Sequence, residues 1–185
     1  EQTCESCNTY NMLKLTRRLY AERADAAYFD YFERAHLNHI MAHQRPSDGA
    51  FIYMAPLISG AAREFSTPTD SFWCCVGSGM ESHSKHGESV WWSDDDGLIV
   101  NLFIASELTW SARGGRVALE TGFPFGSDIG IRFNALERDG RFKVRVRRPG
   151  WANTHSASVN GEPFEPRLEG DYLVFDRRWK AGDLI

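Results

Sequence analysis

The four cysteines of this sequence fall in two clusters, Cys4 and Cys7 in EQTCESCN and the adjacent pair Cys74 and Cys75 in SFWCCVGSGME. Neighbouring cysteines do not easily pair with each other, because a disulfide needs well separated Cα atoms and a dihedral near a right angle. A partner from elsewhere is implied. Cys4, Glu5 and Cys7 offer two thiols and a carboxylate, and the second cluster offers two more thiols, a donor set that suits tetrahedral zinc. The spacing also permits two disulfides linking residues 4 and 7 to 74 and 75, or buried thiols with no role. Adjacent ligands are unusual in a purely structural zinc knuckle, where two residues normally intervene, so the pair points to a functional metal.

Other polar residues are candidates on weaker grounds. Glu33 lies one helical turn from both Phe29 and Leu37 and interrupts an apolar stripe. If buried it needs a partner, and at the surface it would form an ordinary salt bridge. Tyr53, in FIYMAP, suits a core or strand position as well as a ligand-facing one. His36 and His39 are three apart on a helix, which permits a shared metal or simply a polar edge beside the core stripe. His83 and His86 repeat that spacing after the cysteine pair and could support its loop. Gly77-Ser78-Gly79 lacks the flanking pattern of a nucleophile elbow. The acidic run Asp94 to Asp96 lacks the spaced ligands and distal Glu of a calcium loop and reads as a turn.

These residues must be held by elements whose outline is legible. With 185 residues, 42% of them hydrophobic and 25% charged, the chain has the composition of one good core or two small ones. The net charge of -4 leaves no basic field for nucleic acid or an anionic membrane, so neither partner is expected. No apolar run approaches the ~20 residues of a membrane span, and the first residues carry no signal-peptide pattern. The opening on Glu1 without Met, and an apolar pair beginning after a turn at the other end, read as an internal piece of a longer protein.

From Asn8 to about Ala21, Met12, Leu15 and Leu19, joined by Leu13 and Tyr20, recur at helical spacing. A second helix is expected from Asp25 to the Pro46-Gly49 turn, with Tyr28, Phe32 and Ala35 on one stripe and Phe29, Leu37 and Ile40 on another. Such a wide apolar arc belongs between neighbouring helices. A short extended piece, 51–57, precedes a loop rich in Gly, Ser and Thr, and 80–92 can be helical. Beyond residue 95 the pattern changes. Residues 98–104 are almost continuously apolar, 142–147 alternate strictly, and Asn160-Gly161 marks a tight hairpin before a strand at 172–175. Short strands with Gly-rich turns suggest an antiparallel sandwich.

The segments ESCNTYNMLKL (5–15), FWCCVGSGME (72–81) and VNLFI (100–104) resemble the glycoside hydrolase family 127 proteins, the β-L-arabinofuranosidase family, along essentially the whole chain. The resemblance implies an α+β fold: residues 1–95 as the C-terminal part of an (α/α)6 helical barrel, and 96–185 as a truncated antiparallel β-sandwich domain. It implies zinc (Zn2+) held by Glu5, Cys7, Cys74 and Cys75, which leaves Cys4 outside the set. Cys74 is then the nucleophile of a retaining glycosidase, with zinc favouring its thiolate and helping the sulfur leave again. The general acid/base of the family is a Glu upstream of the zinc Glu, so no residue here takes that role and the fragment alone would be inactive. Glu33 and Tyr53 match positions lining the sugar pocket, and the implied partner is an arabinose-containing oligosaccharide or glycoconjugate. The alternative is a non-catalytic protein of the same fold, stabilised by zinc, that binds carbohydrate or another domain.

Overall fold

Residues 3–185 are described by the computed structural model, and the chain divides into two compact units between His86 and Gly87. The architecture is mixed α+β, with the α-helices in the first unit and most strands in the second.

In the first unit a short strand β1 (Thr3–Glu5) runs directly into helix α1 (Ser6–Glu22). Helix α2 (Ala26–Ala35) is started by Asp25, whose carboxylate accepts from the Ala27 N–H at 3.0 Å. It continues as one π-helical turn (His36–Ile40) and one 3-10 turn (Met41–His43). The Pro46-Gly49 turn then forms as expected. Gly49 takes φ +79°, and Asp48 bonds both the Ala50 N–H and the Arg45 guanidinium. Strand β2 (Met54–Pro56) pairs antiparallel with β1, Glu5 opposite Met54 and Cys4 opposite Ala55. Helix α3 (Cys74–His83) closes the unit.

Two expectations change here. The buried stripe of α1 is Tyr10, Leu13, Thr16 and Tyr20, whereas Met12, Leu15 and Leu19 are exposed. Both stripes are apolar at helical spacing, and the aromatic one packs inward, with Tyr20 edge-on to Phe29 at 4.7 Å. The third helix starts at the cysteine pair rather than at Met80, and residues 91–94 form a strand. Gly79 lies flush on the Phe51 ring, so packing outweighs the low helix propensity of its two glycines.

The second unit holds a five-stranded sheet in the order β11 (Arg167–Glu169), β12 (Tyr172–Trp179), β8 (Gly140–Arg147), β4 (Gly97–Val100), β3 (Trp91–Asp94). A three-stranded sheet follows the order β5 (Ser106–Trp110), β6 (Gly115–Thr121), β7 (Ile129–Ala135). The Asn160-Gly161 hairpin joins β9 (Ser158–Val159) to β10 (Glu162–Pro163), both turn residues at positive φ. Faces of the two larger sheets meet through aromatic rings. Phe133 of β7 lies 5.1 Å from Trp179 and 5.8 Å from Phe142, and the Trp110 ring is 5.2 Å from Phe142.

The sheets are not wholly antiparallel, as the turn pattern suggested: β4 runs parallel to β8, because the whole β5–β7 sheet intervenes between them in the chain. Pairing of β4 stops at Val100 instead of reaching Ile104. Past that point Asn101 is turned to other work, its carbonyl oxygen accepting from Arg147 Nε at 2.7 Å and its side-chain oxygen from the Tyr172 hydroxyl at 2.8 Å. Asp94 caps the β3–β4 turn by accepting from the N–H groups of Asp96 and Gly97, so the acidic run is a turn. Among the described residues no helix is long and apolar enough to cross a membrane.

Candidate metal centre

Glu5 occupies the N-cap position of α1, with extended backbone (φ -101°, ψ 126°), yet its side chain does not cap the helix. It faces Cys7 instead, whose thiol donates to Glu5 Oε2 at 3.7 Å. Cys74 and Cys75 are the first two residues of α3, where the unpaired N–H groups of a helix start favour negative charge. Although 67 positions apart in the chain, the sulfurs of Cys7 and Cys74 lie 3.3 Å apart. The sulfurs of Cys7, Cys74 and Cys75 all lie within 4.8 Å of one another.

The three sulfurs fit zinc as a donor group, with Glu5 beside Cys7 but not within 4.8 Å of all three. With Zn–S near 2.3 Å and Zn–O near 2.1 Å, tetrahedral ligands should stand about 3.8 Å apart for two sulfurs and about 3.6 Å for sulfur and oxygen. The sulfur cluster and the Cys7–Glu5 contact bracket those values. All four cysteines are free thiols, so the disulfide arrangement is not what the structure contains. Cys4 stands outside the cluster, its sulfur 3.5 Å from His39 Nε2.

Burial and the neighbouring thiols of Cys74 and Cys75 push the Cys7 thiol up to about 12, and burial also raises Cys4. A thiol so raised keeps its proton at neutral pH, and a metal ion bound there would have to displace it. Access differs across the set: Cys75 is wholly buried and Cys74 is exposed. The sulfur that a reactant can reach is thus the one at the helix start.

Tyr53 is drawn into the same place by two contacts. Its ring stacks on Trp73 at 5.5 Å, and its carbonyl oxygen accepts from the Cys75 thiol at 3.5 Å. The negative charge of Glu5, foremost, and then that of Cys74 raise its hydroxyl above the usual tyrosine range. Glu33 is 5% exposed, on the α2 face that also buries Phe29 and Phe32.

The histidines do not share a metal in the pairs that their spacing allowed. The π-helical turn sends His36 and His39 to different partners: His36 Nε2 is 2.8 Å from His86 Nδ1, while His39 Nδ1 is 2.8 Å from Thr9 Oγ1. Burial, aided by His86, lowers His36 to about 4. His83 reaches Gln44 at 3.1 Å and sets its ring edge-on to His86, so the pair secures the end of α3. Ser78 is buried with its hydroxyl donating to the Cys75 carbonyl, in keeping with a helix and not a nucleophile elbow. Sequence reasoning missed Trp73 and Thr9, and singled out His39 only as one of a spaced pair with His36. Trp73, adjacent to the cysteine pair, carried a signal that could have been read.

Comparison with known proteins bears on this geometry. Residues 1–88 match the family model of the β-L-arabinofuranosidase GH127 catalytic domain, and residues 97–185 match that of the GH127 middle domain. Among solved structures the chain is similar to a GH127 β-arabinofuranosidase, BT3674, at TM-score 0.81 and 27% identity, over 98% of this chain and 31% of that one. It shares its fold with Ara127N, a GH127 β-L-arabinofuranosidase from Geobacillus stearothermophilus T6, at TM-score 0.83 and 23% identity over 98% and 31%. It also shares its fold with a glycoside hydrolase at TM-score 0.85 and 22% identity over 97% and 32%. No curated protein sequence matches. The chain spans about a third of the length of the solved structures it resembles.

Proposed function

The chain belongs to the GH127 β-L-arabinofuranosidase family, and from that premise we propose that the protein it forms part of is a zinc-dependent retaining glycosidase acting on β-L-arabinofuranosides or similar sugars. In this reading residues 1–95 end a helical (α/α)6 catalytic barrel and 96–185 begin a β-sandwich. The exposed α1 stripe of Met12, Leu15 and Leu19 is then a face for further barrel helices. Glu5, Cys7, Cys74 and Cys75 hold the metal. When bound there, zinc would keep the Cys74 sulfur as a thiolate and ease its later departure.

The observation that carries the proposal is the pairing of one exposed sulfur, Cys74, with a cluster of buried or half-buried donors. Cys74 attacks the anomeric carbon; a C–S bond forms as the glycosidic C–O bond breaks, and the leaving oxygen takes its proton from an acid supplied by a Glu upstream of Glu5. Water then attacks the same carbon, the C–S bond breaks, and the proton of the water returns to that Glu. Tyr53, fixed by Trp73 and the backbone bond to Cys75, and Glu33 bind the sugar hydroxyls of an arabinose-containing glycan.

The test uses the full-length protein and a panel of aryl arabinofuranosides. Cys74→Ser should keep its fold yet lose turnover, since an alcohol is a poor nucleophile at neutral pH, while Cys4→Ser keeps both zinc and activity. Full activity in Cys74→Ser would remove it as nucleophile, whereas zinc binding without turnover by the wild type across the panel would favour a non-catalytic, zinc-stabilised carbohydrate-binding protein. Loss of zinc in Cys4→Ser with retention in Glu5→Gln would overturn the ligand set.

A further inference from the structure

We propose that His39 is a positioning residue for the metal centre, a clamp that holds the Glu5–Cys7 ligand segment at both ends. Its ring lies between two side chains of that segment: Nε2 is 3.5 Å from the Cys4 sulfur, and Nδ1 is 2.8 Å from Thr9 Oγ1. Cys4 immediately precedes Glu5, and Thr9 follows Cys7 by two residues. One imidazole therefore brackets both ligands without touching either.

The segment needs such a clamp for a local reason. Residues 4 to 9 cross the junction between β1 and α1, where the chain changes from extended to helical. A Ser, Thr, Asp or Asn would normally fix that junction by capping the helix with its side chain. Here the N-cap is Glu5, and its carboxylate is turned to Cys7 instead. Bonds from outside the helix take over the anchoring. The π-helical turn His36–Ile40 makes this possible, because it sends His39 to Cys4 and Thr9 while His36 is held by His86. Single π-turns of this kind recur at functional sites.

The hydrogen-bond inventory is satisfied on both sides. A neutral imidazole has one donor and one acceptor, and burial, followed by the nearby His43, favours the neutral ring. The Thr9 hydroxyl can give or take a proton, so whichever nitrogen carries the ring proton, the Thr9 bond can form. Partners that hydrogen-bond a metal's ligands commonly set its affinity by tenfold to hundredfold, and His39 acts on the same orientation through the residues flanking the ligands.

The proposal rests on the reading that Glu5, Cys7, Cys74 and Cys75 hold zinc, and the experiment separates the two. In the full-length protein, zinc affinity is measured by competition with a chromophoric chelator for wild type, His39→Ala, Thr9→Val, Thr9→Ser and the ligand control Cys75→Ala. Melting of the metal-free form of each is recorded alongside. His39→Ala and Thr9→Val should bind zinc tenfold to hundredfold more weakly with metal-free melting unchanged, Thr9→Ser should match wild type, and Cys75→Ala should lose zinc. In cobalt-loaded protein the visible bands should shift for His39→Ala and Thr9→Val but not for Thr9→Ser. Should His39→Ala prove unstable without metal, the contrast between Thr9→Val and Thr9→Ser decides. Wild-type affinity in Thr9→Val, with zinc lost in Cys75→Ala, overturns the clamp and leaves the metal reading standing. Zinc retained in Cys75→Ala overturns both.

Discussion

Gly79→Ala is the most informative single substitution in the first unit. A Cβ at Gly79 would stand 2.6 Å from Phe51 Cδ1 and Cε1 and 2.9 Å from Cζ. Ordinary carbon contacts are about 3.5–4.0 Å, so roughly 1 Å must be found. The Phe51 ring cannot easily supply it. It is 7% exposed, stacked on His43 at 5.0 Å, and its backbone is tied on both sides by bonds to Ser66, while the next residue, Ile52, bonds to His43. The displacement therefore falls on α3, the helix that starts with Cys74 and Cys75. Overpacking costs about 1–3 kcal/mol, and Ala returns about 1 kcal/mol of helix propensity, leaving a net loss of roughly 0–2 kcal/mol. Stability thus falls by at most about 2 kcal/mol, but a shift approaching 1 Å at Cys74, the proposed nucleophile, can cost about a hundredfold in rate. Gly77→Ala is the control, since a Cβ there meets nothing within 4 Å and only the propensity gain remains. Zinc content, melting temperature and kcat/KM on an aryl arabinofuranoside, measured in full-length protein, should separate the two. If Gly79→Ala retains zinc and turnover like wild type and melts no lower than Gly77→Ala, the packing of α3 on Phe51 does not set the site, and the reasoning fails.

Acid should destabilise the first unit through His36, which is buried against His86, with His83 beyond it, and lowered to about 4 from an ordinary value of 6.5. Between those values the unfolded chain binds the extra proton, so stability is complete above pH 6.5 and declines as pH falls towards 4, by on the order of 3 kcal/mol. Melting curves from pH 7.5 to 4.5 should show a shallower slope for His36→Gln than for wild type, and parallel slopes would refute the assignment. In the second unit, Arg147→Met should lower the unfolding free energy by about 1–3 kcal/mol, read as a lower denaturant midpoint, because the Asn101 carbonyl loses its partner while staying buried. An unchanged midpoint would show that water replaces the bond.

What the sequence by itself determined is what depends on near neighbours. The strict alternation in β8, the Asn160-Gly161 hairpin, the Asp25 cap and the turns at Asp48 and Asp94 each follow from a few adjacent residues, and each is where local chemistry puts it. The types of the candidate donors were equally plain, since soft thiols gathered in two clusters limit the chemistry to a short menu.

Tertiary structure decided the rest, because the deciding contacts are remote in sequence. α1 carries two apolar stripes, and only the packing of Tyr20 on Phe29 selects which is buried. The helical state of the cysteine pair depends on Phe51 filling the space that Gly79 leaves open. The parallel pairing of β4 with β8 spans a whole intervening sheet, which no window of neighbouring residues reveals. So too with the site: Cys7 and Cys74 are 67 residues apart, and no local pattern singles out Cys4 as the thiol that turns to His39 instead of joining them.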